Sequence, residues 1–212
     1  MTLALDSLMS LAPVIPVLVI EEEADAVPLA QALAAGGVRA LEVTLRTPAA
    51  LGAILRIAKE APEAVVGAGT VLNGRDLEAA ADVGARFIVS PGLTEGLAEA
   101  AAAARLPLLP GVATATEIMR GLDLGLSRFK FFPAESSGGP AAVAAFGGPF
   151  PGCRFCPTGG IGPEQAARYL ALRNVACVGG SWLVPRDLVR ARDWRAIEDL
   201  ARAAAALARA AD

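Results

Sequence analysis

At 212 residues the chain has room for one domain, or at most two, around a sizeable core. Its net charge of −3, with no basic run, argues against nucleic acid and anionic membrane surfaces as partners, and an aromatic content of 5% leaves few stacking platforms. Histidine is absent, which excludes Ser-His-Asp and Cys-His machinery and His-ligated zinc, so any general acid or base has to be Asp, Glu, Lys, Tyr, Cys or water.

Residues 2–11 read as a short leading helix or arm. An apolar strand follows at 14–20, then an Ala/Leu-rich helix at 24–35. The acidic residues 21–23 stand at the positive end of that helix, and Gly36-Gly37 ends it. The pattern then repeats. Strands are expected at 39–45, 64–67, 86–89, 106–110, 128–132, 154–157 and 175–178. Helices are expected at 48–60, 75–83, 94–104, 115–122, 140–146, 163–170 and 194–210. Pro48 opens one of them, and Thr94 and Thr114 are placed to cap two others. The strands are short, apolar, and β-branched or aromatic, as strands buried on both faces are. Strict strand–helix alternation requires parallel strands joined by crossovers. Eight such units point to an α/β fold, a single (β/α)8 TIM barrel over residues 1–212 with a short N-terminal helix.

The apolar run 11–20 is too short to span a bilayer and is broken by Pro13 and Pro16; what precedes it lacks the basic start of a signal peptide. A cytoplasmic location is expected. Cys153 and Cys156 have redox or metal-motif spacing. On a strand, however, positions three apart point to opposite faces, and no second pair or His completes a zinc site. With Cys177 they read as small core residues in a reducing compartment. The single tyrosine, Tyr169, falls in a stretch that reads as a helix exterior.

In a barrel of this kind the active site lies at the carboxyl ends of the strands. The polar residues collect there. The second strand ends in Glu42-Val-Thr44-Leu-Arg46, the third in Gly67-Ala-Gly69-Thr70, and the fourth in Ser90-Pro91-Gly92. The sixth carries Lys130 and Phe132, the seventh ends in Thr158-Gly159-Gly160, and the eighth in Gly179-Gly180-Ser181. Lys130 is one of only two lysines against seventeen arginines, and it sits among Phe129, Phe131 and Phe132. Desolvation among apolar walls favours the neutral, nucleophilic form of an amine, which Schiff-base chemistry needs. The same spacing also suits a lysine snorkelling from a strand end. Glu42 is the second charge inside an apolar strand, suited either to acid–base work beside an iminium or to a buried structural pair. Arg46 can hold a carboxylate bidentately. The Gly pairs after strands seven and eight can offer unobstructed N–H groups to a phosphate, or simply form tight turns. Gly67-Ala-Gly69 lacks the third glycine of a dinucleotide fingerprint. Together these groups suit a phosphorylated 2-keto acid cleaved through an iminium, chemistry that needs neither metal nor cofactor.

The stretches Leu41-Glu-Val-Thr-Leu-Arg-Thr47, Gly67-Ala-Gly-Thr-Val71, Ser90-Pro-Gly92, Arg128-Phe-Lys-Phe-Phe-Pro-Ala-Glu135, Phe155-Cys-Pro-Thr-Gly-Gly-Ile161 and Gly179-Gly-Ser-Trp-Leu183 resemble the 2-keto-3-deoxy-6-phosphogluconate (KDPG) aldolase and 4-hydroxy-2-oxoglutarate aldolase family. They span nearly the whole chain in order. The resemblance implies a (β/α)8 barrel that forms a homotrimer. It implies Lys130 as the Schiff-base residue and Glu42 as general acid/base. The pyruvyl carboxylate would lie near Arg46 and Thr70, with Pro91 and Phe132 shaping the pocket. The distal phosphate would lie near Thr158, Gly159, Gly160, Gly180 and Ser181. The products would be pyruvate and glyceraldehyde 3-phosphate, with 4-hydroxy-2-oxoglutarate as a second substrate. In one departure, relatives often carry a Lys soon after the Gly-Gly following strand six, where this chain has Pro140-Ala141-Ala142 after Gly138-Gly139. That bears on phosphate affinity and leaves the Schiff base untouched. An aldolase for the galactonate epimer and a non-catalytic phosphate-sugar-binding barrel are the rival readings.

Overall fold

Short runs of two to five mostly apolar residues set the strands. The computed structural model describes residues 4–208. The strands are β1 (Val14–Leu18), β2 (Ala40–Thr44), β3 (Val65–Gly69), β4 (Ile88–Val89), β5 (Leu108–Leu109), β6 (Gly111–Val112), β7 (Arg128–Phe131), β8 (Arg154–Pro157) and β9 (Val178–Gly180). The helices are α1 (Leu5–Ser10), α2 (Ala26–Ala35), α3 (Ala50–Glu60), α4 (Gly74–Asp82), α5 (Glu95–Ala104), α6 (Ala115–Asp123), α7 (Gly139–Phe146), α8 (Pro163–Leu170), α9 (Arg186–Ala191) and α10 (Trp194–Ala205). Every strand pairing is parallel. One ladder runs β5-β4-β3-β2-β1-β9 and a second runs β6-β7-β8. Single bridges, Phe155 to Val175 and Thr158 to Gly179, connect β8 with the β9 end of the first ladder. The result is an α/β fold whose parallel sheet curls.

Local chemistry explains where the elements begin and where they depart from expectation. Thr94 Oγ1 accepts from the Leu97 N–H, and Thr114 with Glu117 forms a reciprocal capping box, so both expected caps are in place. The expected strand 106–110 shrinks to Leu108–Leu109, and β6 resumes at Gly111 beyond Pro110, which has no N–H to give to a ladder. The last strand lies later than 175–178. Val175 donates back to Leu172 in a turn, and the regular ladder starts only at Val178. A further helix, α9, stands between β9 and the final helix. Residues 2, 3, 209 and 210 of the expected terminal helices lie outside the described residues. Tyr169 is not on a helix exterior. Ala166, Tyr169 and Leu170 form the buried stripe of α8, and Tyr169 is wholly buried.

Alternation along the strands separates two cores. Leu41 and Val43 of β2 point outward and join Leu33, Ile54, Ile57 and Leu77 between sheet and helices. Ala40 points inward and joins Ile15, Phe87, Leu109, Cys156 and Cys177, with Leu8 and Met9 of α1 added from below. Cys153 belongs to the outer cluster and Cys156 to the inner one, as opposite strand faces require. Ala40, Phe87 and Cys177 of the inner cluster lie at or just before the first residues of their strands. The positions two residues further along face the same interior, and there the chemistry changes.

Candidate active site

Two residues beyond Ala40 on β2 stands Glu42, and two beyond Arg128 on β7 stands Lys130. Glu42 is 3% exposed and Lys130 is 5% exposed. β2 neighbours only β1 and β3, and β7 only β6 and β8. Yet Lys130 Nζ donates to Glu42 Oε1 at 3.1 Å, across the interior of the curled sheet. Such a pair loses its hydration on both sides. Its net contribution to stability is small or negative, and removing one member leaves an uncompensated buried charge. The ring of Phe132 stands 5.2 Å from Lys130 Nζ and presents its negative face to the amine.

Glycine makes room for the carboxylate. A Cβ on Gly69 would stand 2.3 Å from Glu42 Oε1, and one on Gly67, paired in register with Glu42, would run into the Phe87 ring at 2.5 Å. Thr44 Oγ1 donates to the Leu18 carbonyl at 2.8 Å and Thr47 Oγ1 to the Ile20 carbonyl at 2.6 Å, fastening the end of β2 to the end of β1. Arg46 follows on this fastened segment. Its Nε donates to Thr70 Oγ1 at 3.1 Å. Thr70 adopts φ +59°, a left-handed conformation that a β-branched residue takes only at a cost of about 1–3 kcal/mol. That cost places its hydroxyl beside Arg46.

A cavity of about 500 Å³ opens over the carboxyl ends of the strands. Arg46, Lys130, Phe132, Thr158, Gly159, Gly160, Gly180 and Ser181 line it, so the structure brings these expected residues to one site. Glu42 lies just behind the wall, reaching the cavity through Lys130. Thr70 and Pro91 are not on the wall: Thr70 backs Arg46, and the Pro91 carbonyl packs against Gly111. Gly159 and Gly160 have φ +106° and +77°, a region glycine enters freely. The parallel bridge between Thr158 and Gly179 holds the start of this Gly-Gly turn against β9. The Thr158 side chain fills the space a Cβ on Gly179 would need, and Thr158 Oγ1 donates to the Cys156 carbonyl at 3.3 Å. Beside the cavity, Tyr169 Oη donates to Glu135 Oε1, and burial followed by that bond pushes the phenol well above its ordinary range. Sequence reasoning did not foresee that Glu21, Glu22, Asp25, Arg186 and Arg190 also line the cavity. The signal for the last two was their position just after the Gly-Gly of the last strand.

Among the described residues, no group of three or more His, Cys, Asp or Glu side chains is arranged to hold a metal ion, and no helix is long and apolar enough to cross a membrane. A parallel α/β sheet with a buried amine–carboxylate pair at the carboxyl ends of its strands and an arginine beside it has the equipment of a Schiff-base lyase. The chain belongs to the KDPG and KHG aldolase family, whose model matches residues 5–200. It is 55% identical over 199 residues to the KHG/KDPG aldolase of Escherichia coli, covering 94% of this chain and 93% of that one. It superposes with TM-score 0.93 on the 2-keto-3-deoxy-6-phosphogluconate aldolase of Zymomonas mobilis solved with 3-phosphoglycerate, at 56% identity, covering 97% of this chain and 96% of that one. The KDPG aldolase of Legionella pneumophila, solved with pyruvate captured as a covalent carbinolamine, also matches with TM-score 0.93, at 46% identity, covering 95% and 98%.

Proposed function

We propose that the protein is a class I aldolase that cleaves 2-dehydro-3-deoxy-6-phosphogluconate to pyruvate and glyceraldehyde 3-phosphate, with 4-hydroxy-2-oxoglutarate as a second substrate. The observation that carries the reading is the buried contact between Lys130 and Glu42 at the edge of the cavity. Lys130 gives a proton to Glu42 and attacks the substrate ketone. The carbinolamine loses its hydroxyl as water, with Glu42 returning the proton, and an iminium remains. The iminium carries the positive charge the ammonium had, so the buried carboxylate keeps its counterion through the covalent step. Glu42 then takes the proton of the C4 hydroxyl. The C3–C4 bond breaks, its electron pair moves toward the iminium, and the aldehyde leaves. Protonation of the enamine and hydrolysis release pyruvate and free Lys130. Arg46, held by Thr70, faces the substrate carboxylate, and the Gly159-Gly160 N–H groups face the distal phosphate together with Thr158, Gly180 and Ser181.

Finer features of architecture and setting belong to the same proposal. Residues 1–212 form one domain. The sheet closes as an eight-stranded barrel in which β5 and β6 count as one strand interrupted at Pro110, a reading supported by the two bridges between the β8 and β9 segments. The buried thiols of Cys153 and Cys156, neither in a disulfide, support a cytoplasmic location.

Borohydride reduction in the presence of pyruvate tests the chemistry. The wild-type chain is expected to gain the mass of reduced pyruvate on Lys130, and Lys130→Ala to gain nothing. Wild type that stays unmodified, or a Lys130→Ala variant that still gains the mass, would remove the aldolase reading and favour a non-catalytic binding barrel.

A further inference from the structure

The floor of the cavity is accounted for by the proposed chemistry; one part of its wall is not. α9 contributes Arg186, Val189 and Arg190 to that wall. It follows the same connection from β9 that supplies Ser181. Opposite stands the segment after β1, with Glu21, Glu22 and Asp25. The two segments are bridged twice. Arg190 meets Glu21 at 3.5 Å, and Arg192 meets Asp25 at 2.9 Å. Those two arginines are neutralised in place. Arg186 differs: among the described residues, no carboxylate pairs with its guanidinium and no hydrogen bond engages it. Glu22 is an exposed carboxylate on the facing segment, and no ion pair joins it to Arg186. An arginine with no carboxylate partner among the described residues therefore lines the same cavity as Gly159, Gly160, Gly180 and Ser181.

We propose that Arg186 is a specificity-determining residue that takes the distal phosphate of the substrate; this rests on the aldolase reading above and deepens it. A guanidinium fork matches two phosphate oxygens at once, and a charge-assisted bond of this kind is stronger than one from a neutral donor. The N–H groups of Gly159 and Gly160 and the Ser181 hydroxyl fix where the phosphate sits, and Arg186 supplies the compensating charge. A shorter 2-keto acid without a phosphate has nothing to reach Arg186. The residue therefore sets the preference between phosphorylated and unphosphorylated substrates while leaving the bond-breaking end of the site alone.

The test compares wild type, Arg186→Ala, Arg186→Lys and Arg195→Ala. Arg195 is an exposed α10 arginine that pairs with Asp199 and controls for net charge. Two readouts are taken: calorimetric binding of 3-phosphoglycerate, and KM and kcat for 2-dehydro-3-deoxy-6-phosphogluconate and for 4-hydroxy-2-oxoglutarate. Arg186→Ala is expected to weaken 3-phosphoglycerate binding and raise KM for the phosphorylated substrate about five- to tenfold, the loss of one partly solvated charge-assisted contact. Its kcat, and both constants for the unphosphorylated substrate, should stay as in wild type. Arg186→Lys should recover most of the loss and Arg195→Ala should show none. Equal losses on both substrates, or the same small loss in Arg186→Ala and Arg195→Ala, would overturn the assignment. Should the wild-type chain form no adduct with pyruvate, the aldolase reading would fall separately, while the calorimetric comparison would still decide the role of Arg186.

Discussion

The interior of the sheet has two ends made from the same strands, and they follow opposite rules. At the amino end, Leu8, Met9, Ile15, Phe87 and Leu109 fill the space with apolar volume, and α1 closes it from below. At the carboxyl end, two residues further along, Ala40 gives way to Glu42 and Cys156 to Thr158, and glycines at 67, 69 and 179 leave room for larger neighbours. The first end gains from every methylene it buries. The second buries a charge pair whose desolvation roughly cancels its attraction, and holds Thr70 in a costly backbone conformation. Stability is concentrated at one end so that the other can hold groups chosen for reactivity.

Substitutions at the two ends should therefore separate activity from stability. The largest effect is expected from Glu42→Gln. The amide keeps the shape and can still accept from Lys130, but cannot carry protons, so kcat should fall by roughly 10²–10⁴, the usual worth of a positioned acid–base group. Circular dichroism should keep its folded form, while the thermal midpoint should fall because Lys130 loses its buried counterion. Near-normal turnover would move the proton shuttle to another group. Phe87→Ala is the converse at the amino end. The ring is wholly buried and packs over Gly67, so its removal should cost about 3–5 kcal/mol in urea unfolding. The folded fraction should still trap pyruvate. A Phe87→Ala protein that is stable but inert would show that the two ends are not separable.

Much of this division was legible in the residues. A lone lysine among three phenylalanines and a glutamate inside an apolar strand stand out against their neighbours, and strand period 2 gives Glu42 the same face as Ala40. Their meeting at 3.1 Å was not legible, because β2 and β7 are not ladder neighbours and only the curl of the sheet brings them together. A short helical or turn segment is expected after Gly179-Gly180-Ser181, and α9 is that helix; six residues are too few for a helical period to decide between the two from sequence. The placement of Tyr169 went wrong for a different reason. Glu164, Gln165 and Arg168 gave α8 a polar look, but Ala166, Tyr169 and Leu170 recur at the three- and four-residue spacing of a buried stripe. Thr70 and Pro91 are adjacent to the site in sequence terms, yet strand geometry turns them behind its wall.

Tyr169 supplies the smallest test, at a contact that belongs to neither interior end. Its ring is buried in the outer core while its hydroxyl reaches Glu135, an exposed residue in the loop after β7. Burial first, and then the hydrogen bond to Glu135, raises the phenol above its ordinary value near 10. The unfolded chain gives up this proton near pH 10 and the folded one holds it, so above that pH the unfolded state binds fewer protons. Stability from this group is fully present below pH 10 and is lost as pH rises beyond it. Tyr169→Phe keeps the ring and removes both the bond and the titration. At pH 8 the variant should be less stable by about 1 kcal/mol, the usual net worth of one hydrogen bond. By pH 11 the gap to wild type should narrow, since only wild type carries the alkaline penalty. Urea unfolding at the two pH values reads the difference directly, and a gap that widens with pH would mean that the phenol is not held neutral by its surroundings.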